Sequence, residues 1–173
     1  MLISLAVSGA LASSPEAAAS EYELKAVFLL NFASFVDWPA AAFVTAEEPM
    51  VFCVFAGDPF GGALDQASKG KTINGRRVLT RITSDAILIR SCHVIFFPRS
   101  QMRGYAEIAG VLTKLDILTV GEVSGFSERG GIINFVVHEG RVRFEVNPTA
   151  AERHHLKVSS KLLQLAVITG REK

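Results

Sequence analysis

Charge of one sign is what this chain most plainly lacks. Eighteen Lys and Arg stand against seventeen Asp and Glu, a formal net charge of +1, and the basic residues are scattered. Without a basic patch there is no long-range field to draw nucleic acid or an anionic membrane surface. Long hydrophobic runs are missing too, although 49% of the residues are hydrophobic. The only stretch that could enter a bilayer is residues 1–19, MLISLAVSGALASSPEAAA, and its apolar run is too short to cross ~30 Å of hydrocarbon. It ends in small residues with A-x-A patterns, as a secretory signal does, yet it lacks the positive start of one, Lys25 being the first basic residue. Residues 1–19 are expected to be a signal peptide or its remnant, the alternative being an Ala/Ser-rich leader on a cytoplasmic protein. Residues 20–173 then form one domain.

Cysteine is scarce as well. Cys53 and Cys92 are the minimum for a bridge, and two buried free thiols are the other reading. Each sits in or opens an apolar run, residues 51–55 and 92–97. If those runs are neighbouring strands, the two Cα atoms fall within bridging distance. A bridge in turn persists only in an oxidising compartment.

Catalytic and cofactor motifs are absent. The turn Gly57-Asp58-Pro59-Phe60-Gly61-Gly62 follows a strand but forms neither GxGxxG nor a P-loop, so capping by Asp58 outweighs phosphate binding. Gly121-Glu122-Val123-Ser124-Gly125 carries its serine one place late for a nucleophile elbow. Ser159-Ser160-Lys161 is not S-x-x-K. His154 and His155 diverge by about 100° on a helix, His93 heads an apolar strand and His138 lies at a hairpin tip, so no metal site is expected. Neither an enzyme nor a bound cofactor follows from this set.

What is present is an alternation of helices and strands. Length alone lets such a chain bury roughly 70% of the surface its unfolded form exposes. Ser20 with Glu23 three residues on predicts a helix start, and Leu24, Val27, Phe28, Asn31, Phe32, Phe35 and Val36 predict its buried face before Pro39 ends it. Apolar strands are expected over residues 50–56 and 92–97, a more polar one over residues 76–82 after the turn Asn74-Gly75, and a further short one over residues 116–121. Short helices are expected between them, with a longer one over residues 100–114 and an amphipathic closing helix over residues 158–168. The pattern predicts an α/β fold, a layered, mostly parallel sheet flanked by helices with an antiparallel C-terminal edge hairpin.

Residues 121–147, GEVSGFSERGGIINFVVHEGRVRFEVN, stand out. Glycines 125, 130 and 131 permit positive φ or close backbone approach around Phe126 and Arg129. Two strand-like runs follow, the first apolar almost throughout, the second alternating Val142, Phe144 and Val146 with Arg141, Arg143 and Glu145. The polar face reads either as a solvated ion-pair ladder or as a small recognition pocket. Phe126, Arg129, Arg143 and Glu145 are the candidate ligand or partner residues.

Taken together, EYELKAVFLLNFASFVDWP, VFCVFAGDPFG, SCHVIFF, the 121–147 segment and LKVSSKLLQLA resemble the YfiR family, in the same order and over almost the whole chain. The resemblance implies a periplasmic regulatory protein, a homodimer with a disulfide between the two cysteine-bearing strands, here Cys53 and Cys92. It further implies that the protein binds the periplasmic region of an inner-membrane diguanylate cyclase and represses it, keeping cyclic di-GMP and biofilm formation low. A small-ligand sensor module serving a histidine kinase or receptor system is the alternative. Some members carry a second disulfide near the glycine-rich loop; this chain has no cysteine there.

Overall fold

The computed structural model describes residues 14–170. Helix α1 (Pro15–Ser34) opens at Ser14, whose hydroxyl accepts from the Ala17 amide at 3.2 Å, with Pro15 in the first turn. That start lies before the Ser20/Glu23 box expected from the sequence. Residues 15–19 of the expected leader are therefore helical, while residues 1–13 lie outside the described residues. The buried face differs from the expected one as well. Lys25, Ala26, Leu29, Leu30, Phe32 and Ala33 face the core, whereas Leu24 and Val27 are each 45% exposed and Asn31 is exposed. The helix is apolar nearly all round, so spacing alone does not choose a face.

Strand β1 (Val36–Asp37) and a 3-10 turn lead to β2 (Met50–Phe55), then α2 (Ala63–Ser68), β3 (Thr72–Ile73) and β4 (Arg76–Thr83). Asn74 and Gly75 join β3 to β4 with φ of 52° and 78°, the left-handed pair a two-residue hairpin needs. Helix α3 (Ala86–Ile89), β5 (Val94–Phe97), α4 (Met102–Leu112) and β6 (Leu118–Gly121) follow. The chain closes with β7 (Ile133–His138), β8 (Arg141–Val146), α5 (Pro148–Arg153), β9 (Lys157–Val158), α6 (Ser160–Leu165) and β10 (Val167–Ile168).

Eight strands form one sheet in the order β10-β8-β7-β6-β5-β2-β4-β3. The run from β4 through β2, β5 and β6 to β7 is parallel, and β7 turns back antiparallel into β8. The fold is the mixed α/β layer expected. The outermost strand beyond the hairpin is β10, parallel to β8. The expected closing helix is interrupted: only α6 is helical, Val158 pairs with Val36, and Val167 and Ile168 pair with Glu145 and Val146. β-branched residues at both ends favour strand pairing once edges are within reach.

Strands β2 and β5 are buried at every position, because each alternate side chain enters one of two cores. Phe52, Val54 and Phe96 pack under α1 with Leu29, Phe32 and Phe135. Val51, Cys53, Phe55, Ile95 and Phe97 pack on the opposite face with Tyr105, Leu112 and Phe126. Neighbouring pairing of β2 with β5 brings Cys53 and Cys92 to a Cα separation of 5.9 Å, and they form a disulfide. Beside it His93 is a structural latch: Nδ1 accepts from the Val51 amide at 3.1 Å and Nε2 donates to the Ala42 carbonyl at 3.1 Å. Burial holds its pKa below the ordinary imidazole value.

The disulfide closes a segment of 39 residues, which on the chain-entropy account stabilises the fold by about 4 kcal/mol. Replacing both cysteines by serine is expected to lower the thermal midpoint by roughly 10 °C without altering the far-ultraviolet dichroism at 25 °C; scanning calorimetry on oxidised wild type and the double variant checks this.

Candidate functional site

The glycine-rich loop between β6 and β7 is built around one ring. Phe126 is wholly buried, its ring tilted 42° to that of Tyr105 at 4.5 Å and lying 6.1 Å from Phe97 between centroids. Glycine is required at two places by proximity: a Cβ on Gly131 would stand 2.1 Å from the ring, and one on Gly121 2.5 Å. Gly125 and Gly130 instead supply φ of 78° and 94°. The Gly131 amide returns to the Phe126 carbonyl at 3.0 Å, closing the turn over its own aromatic plug.

Side-chain amides and one carboxylate tie this loop to the hairpin. Glu145 Oε2 accepts from the Ser127 hydroxyl at 2.9 Å and from Asn134 Nδ2 at 3.2 Å. Asn134 Oδ1 accepts from the Val123 amide at 3.0 Å, and Asn147 Nδ2 donates to the Ser127 carbonyl at 2.8 Å. Tyr105 donates to the Arg129 carbonyl at 3.4 Å, and burial pushes its phenol up to about 12.

The four candidate residues thus separate into two roles. Arg129 and Arg143 are exposed, and Glu145 is half-buried beneath them in the loop's hydrogen-bond network. Phe126 offers no surface, so a ligand would reach it only through the loop it supports. Among the described residues no ion pair joins Glu145 to Arg141 or Arg143; its carboxylate goes to Ser127 and Asn134, and the arginines are left to solvent. Alternation along β8 is as the sequence indicates, with Phe144 and Val146 in the core under α1.

A second polar centre escaped the sequence reading. Lys25, on the buried face of α1, places Nζ 2.6 Å from Glu122 Oε2, both side chains 1% exposed. Glu21, one turn earlier, is the ammonium's other carboxylate partner. Glu122 Oε1 accepts from the Tyr22 hydroxyl and from the Arg99 amide, each at 2.9 Å. Burial, and then the charge of Glu122, raises the Tyr22 pKa. The ammonium also lies 4.7 Å from the Tyr22 ring centre. Every oxygen of Glu122 is engaged, so the cluster is a fastening for α1 at the carboxyl ends of the strands and not a free acid or base. The available signal was Glu21 and Lys25 at i,i+4, with the lysine in line with Leu29 and Phe32.

Apolar surface remains on the other side of α1. Leu24 and Phe28 line a hollow of about 600 Å³ with Val137 and Val142 of the hairpin. Val27, Phe60, Ala63 and Ala67 line one of about 620 Å³ on the opposite flank. Among the described residues no helix is long and apolar enough to cross a membrane, and no three His, Cys, Asp or Glu converge as metal ligands.

Comparison with known proteins bears on this architecture. The model of the YfiR/HmsC-like family matches residues 22–167, and the chain belongs to that family. A search of curated proteins finds no match. Among solved structures, a conserved domain protein from Vibrio cholerae O1 biovar El Tor superposes with a TM-score of 0.52 at 14% identity, over 86% of this chain. The aligned region spans 60% of that protein's length, and the likeness is one of fold.

Two substitutions probe the site. Lys25→Met leaves Glu122 buried without its cation and is expected to cost about 3–5 kcal/mol in urea unfolding, a large part of which Lys25→Met with Glu122→Gln restores. Gly131→Ala drives a methyl into the Phe126 ring and is expected to cost about 1–3 kcal/mol, with faster amide exchange confined to residues 123–131; Phe126→Leu in the same background should recover part of that loss.

Proposed function

We propose that this protein is a periplasmic regulator that binds the periplasmic region of an inner-membrane diguanylate cyclase and holds it inactive, lowering cyclic di-GMP signalling. The observation that carries the reading is membership of the YfiR/HmsC-like family over residues 22–167. The Cys53–Cys92 bridge supports it, because such a bond persists in an oxidising compartment. A rigid sheet with an apolar helix flank and an arginine-bearing loop suits capture of one conformation of a partner, which shifts the partner's population without chemistry. Catalysis has no place in the reading, since the buried carboxylate and ammonium are consumed by each other. Homodimerisation is part of the proposal, as is partner recognition through Arg129 and Arg143 on the loop and hairpin.

One observation favours a small-ligand module as a second reading. A hollow of about 530 Å³ is lined by Trp38, Phe43, Asp37 and Arg76; the Arg76 guanidinium is held by the Thr45, Ala46 and Glu48 carbonyls and stacked on Phe43, which leaves rings and the Asp37 carboxylate to meet a small cationic molecule.

The regulator reading is tested by expressing the chain with a membrane cyclase encoded beside it and measuring cyclic di-GMP. The wild-type chain is expected to lower the nucleotide, and Cys92→Ala to abolish that effect. Arg129→Glu with Arg143→Glu should weaken capture by about tenfold, roughly 1.4 kcal/mol. Equal cyclic di-GMP with and without the folded wild-type protein sinks the idea.

A further inference from the structure

The sheet is open at one edge. Strand β3 covers β4 only at Arg76 and Arg77, and the last bond on that side runs from the Val78 amide to the Lys71 carbonyl at 3.2 Å. On its inner side β4 is paired with β2 from Val78 to Thr83, and the Thr83 carbonyl accepts from the Ala56 amide at 3.2 Å. Period two therefore turns the backbone groups of Thr80 and Ile82 outward, in line with Val78. Among the described residues no strand pairs with them. An unpaired stretch of this kind is a template for another strand.

The side chains along the edge are sorted by face. Arg77, Leu79 and Arg81 share the face of Cys53, and Val78, Thr80 and Ile82 share the face of Val54. Leu79 is 41% and Ile82 55% exposed. Strand β4, RRVLTRIT, contains three arginines and no acid; Arg76 is turned away to the Thr45, Ala46 and Glu48 carbonyls, and Arg81 donates to the Ser91 hydroxyl at 3.0 Å while keeping its charge unpaired among the described residues. The neighbouring carboxylates are already engaged: Asp65 accepts from the Thr80 hydroxyl, and Asp85 caps α3. A second copy of the chain fits poorly, because antiparallel pairing of two β4 edges gathers Arg77 and Arg81 of both copies on one face.

We propose that the β4 edge from Val78 to Ile82 accepts an extended segment of a partner protein by strand addition, and that this segment alternates acidic with apolar side chains. Carboxylates then lie across from Arg77 and Arg81 while apolar groups cover Val78 and Ile82, as cross-strand pairing on each face requires.

The probe is a peptide of about six residues alternating glutamate and valine, with a lysine–valine peptide as its counterpart. Fluorescence anisotropy at low salt should show the acidic peptide binding at least about tenfold tighter, and hydrogen exchange should show new protection at the Thr80 and Ile82 amides. Thr80→Pro removes one outward donor without touching the β2 ladder and should cost about tenfold in binding. Arg77→Glu with Arg81→Glu should reverse the preference between the two peptides, which tests the idea even if the proline variant does not fold. Equal binding of both peptides, no protection at those amides, or unchanged binding by folded Thr80→Pro overturns it. So does protection that rises with protein concentration alone, which would mean pairing between copies.

Discussion

Strands β2 and β5 show no side chain to water on either face, and a parallel sheet buried in this way must be roofed on both sides. The placement of the other elements follows. Helix α1 supplies one roof through Leu29, Leu30 and Phe32, and α4 with the Phe126 loop supplies the other through Tyr105 and Leu112. The disulfide lies between these strands on the α4 side, where the segment joining β4 to β5 would otherwise rest only on short α3. His93, bonded to both the start of β2 and the Ala42 carbonyl, does for the opposite end of the strands what Glu122 does for the carboxyl ends.

Chain order also locates where a ligand sits in folds of this kind. From β2 the chain crosses to β4 on one side and returns to β5 on the other, so the carboxyl ends of β2 and β5 part at a topological switch point. Here that region is furnished by the protein itself. Tyr22 packs against Phe60 just beyond β2 with ring centres 5.5 Å apart, and its hydroxyl reaches Glu122 just beyond β6. Gln101 donates to the Ala56 carbonyl at 3.3 Å, spanning the end of β2 and the segment after β5. A buried ammonium fastened among these groups is costly to desolvate, and its two carboxylates and the adjacent ring offset that cost. The same groups that would serve chemistry in an open crevice serve here to hold α1 down.

The sheet was legible in the sequence because its inner strands are continuous apolar runs separated by glycine, proline and an Asn-Gly turn, signals that act within a few residues. The nearness of Cys53 and Cys92 followed from the same runs. Less legible was anything decided by contacts across the chain. The face of α1 is set by partners far along the chain, Glu122 97 residues from Lys25 among them and Phe135 beneath Phe32, and not by its own nearly uniform apolarity. The expected closing helix was broken by partners at Val36 and β8 that no local pattern reveals. At the glycine loop the sequence indicated where the backbone turns but could not say which glycines serve conformation and which make room, a question settled by the position of the Phe126 ring.

That ring also separates two kinds of reinforcement. Near β2 and β5 the reinforcement is covalent, whereas at the loop it consists of Ser127, Asn134, Glu145 and Asn147, joined through neutral hydrogen bonds and one half-buried carboxylate. Charge-assisted bonds to a carboxylate are stronger than neutral ones, so Glu145 carries much of that connection. Its two neighbours on the same face of β8, Arg141 and Arg143, are exposed, and among the described residues no ion pair engages them. The face is therefore prepared asymmetrically, with the acid turned inward to set the loop and the bases turned outward. A reducing environment would loosen the sheet beneath α4 while leaving the loop's own bonds in place. Any effect of breaking the Cys53–Cys92 bond on the arginine face would thus have to pass through the packing of Phe126 against Phe97.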